Sequence, residues 1–123
     1  YSPNSKPDKS TRAGRGDPRI LEAEWRKESL LLAQKIKKFA AKKNMTPIDF
    51  SVNWVLNNRL VSSVIAGPRT LSQWKTYLGV LNHQFSSEDE AFIDNLVAKG
   101  HPSTPGYNDP KHPITGREPL TSI

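Results

Sequence analysis

Between Ser62 and Leu81 the chain reads SSVIAGPRTLSQWKTYLGVL, and nowhere else does a β-branched run pass straight into a helical pattern. Ser63-Val64-Ile65-Ala66 predicts a short strand, Gly67-Pro68-Arg69 a tight corner, and Thr70 the start of a helix. Such a corner aims backbone N–H groups, the positive end of the helix dipole and an arginine at one spot, and that spot suits a phosphate. Thr70, with Gln73 three residues on, makes a T-x-x-Q capping box. Leu71, Trp74, Leu78 and Leu81 then recur on one face, predicting an apolar stripe turned to a core. Gln73 and Tyr77 are four residues apart on an adjacent face. An anion held at Arg69 would therefore meet Gln73 first and Tyr77 a turn later.

The remaining patterns are helical. From Ser29 to Lys43, Leu32, Ile36, Phe39 and Ala40 share one face while Lys35, Lys38 and Lys42 share another. Thr46-Pro47-Ile48-Asp49 opens the next helix with an N-cap, a proline at the tolerated first position and an acid in the first turn. Phe50, Trp54, Ile48, Val52, Val55 and Leu56 make that helix apolar over more than half its circumference, so it needs cover on two sides. Asn57-Asn58 ends it, and Leu60 to Ala66 follows as the predicted strand. Ser86-Ser87-Glu88-Asp89-Glu90 reads as another N-cap with acids in the first turn, leading a last helix whose stripe is Phe92, Ile93, Leu96 and Val97 and whose stop is Gly100. Residues 1–26 read as a long loop, 27–100 as α-α-β-α-α, and 101–123 as a proline-rich tail without secondary structure. Trp25 reads as an anchor for the end of the loop. A lone strand leaves its N–H and C=O groups unpaired, so this order predicts a piece of something larger.

The net charge of +6 is unevenly placed: twelve Lys/Arg stand against five Asp/Glu through Met45, and six against seven beyond it. A solvated helix face and a basic loop explain the excess, with a nucleic-acid surface along Lys35 to Lys43 as the rival. The densest feature of the loop is Arg12-Ala13-Gly14-Arg15-Gly16-Asp17, read either as a flexible basic loop or as a place where one arginine closes over an anion. The chain has no cysteine, which excludes disulfides and thiolate metal sites. His83, His101 and His112 match no metal-ligand spacing. No nucleophile elbow, P-loop or dinucleotide fingerprint is present, and no general acid, base or nucleophile set emerges. With no long apolar run and no leader pattern, the expectation is a cytoplasmic protein with neither a membrane nor a nucleic-acid partner.

The segment SVIAGPRTLSQWKTYLGVL, preceded by TPIDFSVNWVLNN, resembles the C-terminal part of the aldo-keto reductases. The resemblance extends from the R-A-G-R-G loop to the GHPSTPGYNDP tail. It implies an α/β fold: the C-terminal fragment of a (β/α)8 TIM barrel, mostly helical with one clear strand and long loops. It further implies NADP(H)-dependent interconversion of carbonyls and alcohols, with a small carbonyl compound as substrate. Gly67 matches the glycine whose backbone approaches the cofactor, Arg69 a residue holding the adenosine 2′-phosphate, and Gln73 a polar residue reaching the same end of the nucleotide. Arg12 resembles the arginine of the long loop after the seventh strand. The family's Glu-Asn pair near the adenine falls on Thr76 and Tyr77, a departure that leaves Tyr77 to stack on the base. The family's tetrad of Asp, Tyr, Lys and His belongs to the early barrel and matches nothing here, so a catalytic role for this chain alone is left open, with a non-catalytic oxidoreductase-like subunit as the alternative.

Overall fold

The computed structural model describes residues 3–21, 25–101 and 116–121. Four helices carry the architecture: α1 (Lys27–Lys42), α2 (Pro47–Leu56), α3 (Leu71–Gly79) and α4 (Ser87–Asp94). Three open on a capping box, the one at Thr70 expected from the sequence and the other two where it shows N-caps followed by acids. Thr46, Thr70 and Ser86 each accept from the backbone N–H three residues on, and Asp49, Gln73 and Asp89 each reach back to the cap. Each box satisfies two of the donors that a helix start leaves unpaired.

The core lies where α1, α2 and α4 meet. Phe50 is 1% exposed and sits against Phe85 with centroids 5.1 Å apart, while Phe39 meets it edge-on at 5.7 Å and stacks on Phe92 at 3.8 Å. Ala40, Met45 and Ile93 close the cluster. Helix α2 has the cover on two sides that its apolar girth demands, with α1 on one side and α3 and the 3-10 turn Val80–Asn82 on the other. Asn53 fixes the second contact by donating from its buried amide to the Val80 carbonyl at 3.1 Å.

Several expectations are corrected. No strand forms among the described residues: Leu60 to Ala66 is irregular, Ile65 is 99% exposed, and the lone extended pairing is an isolated bridge between Asn58 and Pro119. A β-branched run becomes a strand only when a neighbour takes its N–H and C=O groups, and none lies alongside among the described residues. The α3 stripe is likewise uncovered, with Leu71 70%, Trp74 45%, Leu78 51% and Leu81 75% exposed. Helix α3 also ends at Gly79, before Leu81, and α4 ends at Asp94 instead of running on to Gly100. Among the described residues of the tail, Arg59 donates to the Glu118 carbonyl at 2.8 Å. Most of GHPSTPGYNDP, and His112, lie outside the described residues.

Two ion pairs, one buried and one half-buried, tie distant segments together. Arg117 donates from Nε and Nη2 to the two Glu90 oxygens at 2.5 and 2.6 Å, stacks 4.0 Å from the Trp54 ring, and has a side chain 3% exposed. Lys43 at the end of α1 donates to Asp89 at 2.5 Å and to Ser86 Oγ at 3.1 Å. Burial disfavours charge on both Lys43 and Asp89. The hydrogen bond between them, helped by Ser86 on the carboxylate and Glu88 on the ammonium, outweighs it, so Lys43 is held above its ordinary value and Asp89 below its own.

Arg117→Met should cost about 3 to 5 kcal/mol in urea unfolding, because Glu90 would remain buried without its counter-charge, and adding Glu90→Gln should recover part of that loss. The Lys43–Asp89 pair predicts a pH window. Its Asp89 contribution is complete above 3.8 and lost as pH falls through the lowered folded value, and its Lys43 contribution is complete below 10.5 and lost as pH rises through the raised one. Asp89→Asn should flatten both limbs of a stability-against-pH curve.

Candidate functional site

The capping box of α3 sets the local geometry. Gln73 Oε1 accepts from the Arg69 N–H at 2.6 Å and the Thr70 N–H at 3.3 Å, while Thr70 Oγ1 accepts from the Gln73 N–H at 3.2 Å. Two converging donors require the oxygen there, so the Gln73 amide nitrogen points elsewhere. The backbone donors of Arg69 and Thr70 are thus used by the protein itself. First-turn N–H groups left without a partner among the described residues are those of Leu71 and Ser72. The sequence-based picture of a corner offering several backbone N–H groups to an anion therefore narrows, and its charge rests on side chains.

The loop 10–17 folds back onto this corner. Ala13–Arg15 make a 3-10 turn closed by Gly16 at φ 74°, with Gly16 N–H donating to the Ala13 carbonyl at 3.1 Å and Asp17 N–H to the Arg12 carbonyl at 3.2 Å. That paired closure needs a residue at ease with positive φ. A Cβ on Gly14 would stand 1.9 Å from the Asp8 carbonyl oxygen, so both glycines of the R-A-G-R-G run are required by the turn. The run folds as a 3-10 turn closed on Gly16. Arg69 crosses 59 positions of sequence to donate from Nη1 to the Ser10 carbonyl at 3.3 Å, and Arg15 donates to the same oxygen at 3.0 Å.

Between loop and corner lies a cleft of about 290 Å³, at the small end of ligand clefts. Thr11 and Arg12 line it from the loop, Gly67, Pro68 and Arg69 from the corner, Gln73 and Tyr77 from α3, and Ile48 from the first turn of α2. Five of the six residues singled out in the sequence, Arg12, Gly67, Arg69, Gln73 and Tyr77, meet there. Thr76 does not, and its hydroxyl donates to the Ser72 carbonyl at 3.1 Å. Three lining residues were missed. Thr11 and Pro68 adjoin predicted positions, whereas Ile48 reads as core until the structure places it on the cleft beside the loop.

The charges are unequally matched. Arg12 pairs with Asp17 at 3.0 Å, but Arg69 has no carboxylate partner among the described residues, and the Ser10 carbonyl leaves its charge in place. A Cβ on Gly67 would meet no protein atom within 4 Å. Glycine is therefore not demanded by the chain's own packing, and a side chain would enter space bordering the cleft. Among the described residues no group of three His, Asp or Glu could hold a metal ion, and no helix is long and apolar enough to cross a membrane.

The aldo/keto reductase family model matches residues 2–98. The chain belongs to the aldo/keto reductase family. The match takes in the loop, the corner and all four helices, and so every residue lining the cleft. Membership makes this an oxidoreductase-type chain of a family that folds as a TIM barrel and typically uses NAD(P)H. No curated protein and no solved structure matched the aldo/keto reductase chain.

Gln73→Ala should remove both hydrogen bonds to Arg69 and Thr70 and cost about 1 kcal/mol, read as loss of helical circular dichroism and a lower unfolding midpoint. Unchanged stability would mean that the box does not hold the corner.

Proposed function

We propose that this chain supplies the adenosine 2′-phosphate end of an NADP(H) site, as the C-terminal portion of a barrel in which the other strands and the catalytic tetrad come from elsewhere. The observation that carries this is the cleft itself, lined by a guanidinium without a carboxylate counter-ion among the described residues, by a second arginine and by a corner built on glycine. The donor set fits a phosphate-bearing nucleotide. Arg69 would hold the 2′-phosphate, its planar fork matching the phosphate oxygens, and Arg12 would close over it from the loop. Gly67 keeps side-chain atoms out of the approach, Gln73 holds the corner and has its amide N–H groups left for the ligand, and Tyr77 offers a ring face for the adenine. When bound, NADP(H) supplies or accepts the hydride that interconverts a small carbonyl compound and its alcohol. The uncovered Ile65 and the α3 stripe support the fragment reading, since apolar surface of that kind is normally buried by further structure. A cytoplasmic location is part of the same proposal.

Fluorescence titration of the chain with NADPH and NADH tests the assignment. Losing a charge-assisted hydrogen bond of this kind costs about 1.5 to 3 kcal/mol, or roughly tenfold to a hundredfold in affinity. Arg69→Ala should therefore weaken NADPH by that factor and leave NADH nearly unchanged. Equal losses for the two cofactors, or none for either, would show that Arg69 does not contact the 2′-phosphate. Gly67→Val should weaken both cofactors with an unaltered unfolding midpoint.

A further inference from the structure

Asp17 takes no part in the cleft, yet both of its oxygens are committed beside it. Oδ1 accepts from the Ile20 N–H at 3.2 Å, where Ile20 is 4% exposed. Oδ2 accepts from Arg12 Nε at 3.1 Å and Arg12 Nη2 at 3.0 Å. The carboxylate is thus fixed to the backbone on one side and grips the guanidinium along its Nε/Nη2 side on the other. The Ile20 N–H and the Arg12 hydrogen bonds also hold the Asp17 carboxyl below its ordinary value. Arg12 Nη1 and the second Nη2 hydrogen have no partner among the described residues, and Arg12 lines the cleft.

We propose that Asp17 is the positioning residue of the anion site, holding the Arg12 guanidinium side-on so that its free edge is presented to a phosphate in the cleft. The proposal rests on the NADP(H) reading and adds to it the residue that prepares one of its two arginines. An arginine free to sample its rotamers loses that freedom on binding, whereas one already held by a carboxylate anchored to the main chain does not. Ordering one such side chain accounts for about twofold to tenfold in affinity. A surface ion pair is otherwise weak, and its effect here lies in orientation.

The test is calorimetric titration of the chain with adenosine 2′,5′-bisphosphate and with 5′-AMP, which differ only in the 2′-phosphate. Asp17→Asn keeps an oxygen for the Ile20 N–H and turns the other group into a donor that cannot grip arginine. It should weaken the bisphosphate about twofold to tenfold, leave 5′-AMP unchanged, and cause no further loss in an Arg12→Ala background. Arg12→Lys, which keeps the charge but lacks the fork, should lose as much as Asp17→Asn and become insensitive to it. Unchanged or tighter bisphosphate binding by Asp17→Asn would overturn the proposal, the tighter case making Asp17 a competitor of the ligand. So would an equal loss for both ligands, or a loss of the same size without the Arg12 side chain, either of which would mark a folding role. A wild-type chain that does not prefer the bisphosphate would overturn the NADP(H) reading and this proposal together. Preference lost on Arg69→Ala but untouched by Asp17→Asn would leave the NADP(H) reading standing and end this one.

Discussion

Phe50 is the side chain on which the packing converges. Its ring touches Phe39 of α1, Phe85 of the α3–α4 connection and Phe92 of α4, so both ends of the helical region share one apolar contact. Helix α3 has no buried residue of its own and packs mainly on α2 and the Val80 turn. The corner at Gly67 and the cleft beside it therefore inherit their position from an aromatic cluster to which they contribute nothing. Removing a ring of this size from a packed core typically costs about 3 to 5 kcal/mol, a large share of the margin by which a small domain stays folded.

What could be read in the sequence divides along the range of the interactions involved. The three helix starts were legible because a cap acts within three residues, although only the one at Thr70 read as a full box and the reach of Asp49 and Asp89 back to their caps came from the structure. The strand at Leu60–Ala66 was not, because β-structure is a property of a pair and the sequence of one partner says nothing of whether the other lies beside it. The α3 stripe failed for a similar reason: periodicity at Leu71, Trp74 and Leu78 marks a face that would gain from burial, not one that is buried. Arg117, Glu90 and Trp54 were illegible altogether, since a guanidinium folded under a ring from the far end of the chain leaves no local trace.

The cleft shows both sides of this. Gly67, Arg69, Gln73 and Tyr77 belong to one short segment, and their convergence follows from a corner and a helical turn. Arg12 reaches the same place only through the family resemblance, and the structure supplies what no spacing rule holds: a 3-10 turn closed on Gly16 and seated on the Ser10 carbonyl. Ser10 is then the hinge pin between the two segments, its single oxygen taking Arg15 from its own loop and Arg69 from the corner.

The use of Gln73 Oε1 to satisfy the Arg69 and Thr70 amides has one more consequence. A cleft whose positive charge came from the main chain would be as permanent as the helix, because no substitution removes a peptide N–H without breaking the backbone pattern. Here those amides are already spoken for, and the charge stands on two exposed guanidinium groups. Preference for one anion over another is therefore a detachable trait of this corner. Exchange of a single surface side chain can redraw it while the cap, the helix and the aromatic cluster behind them keep their places.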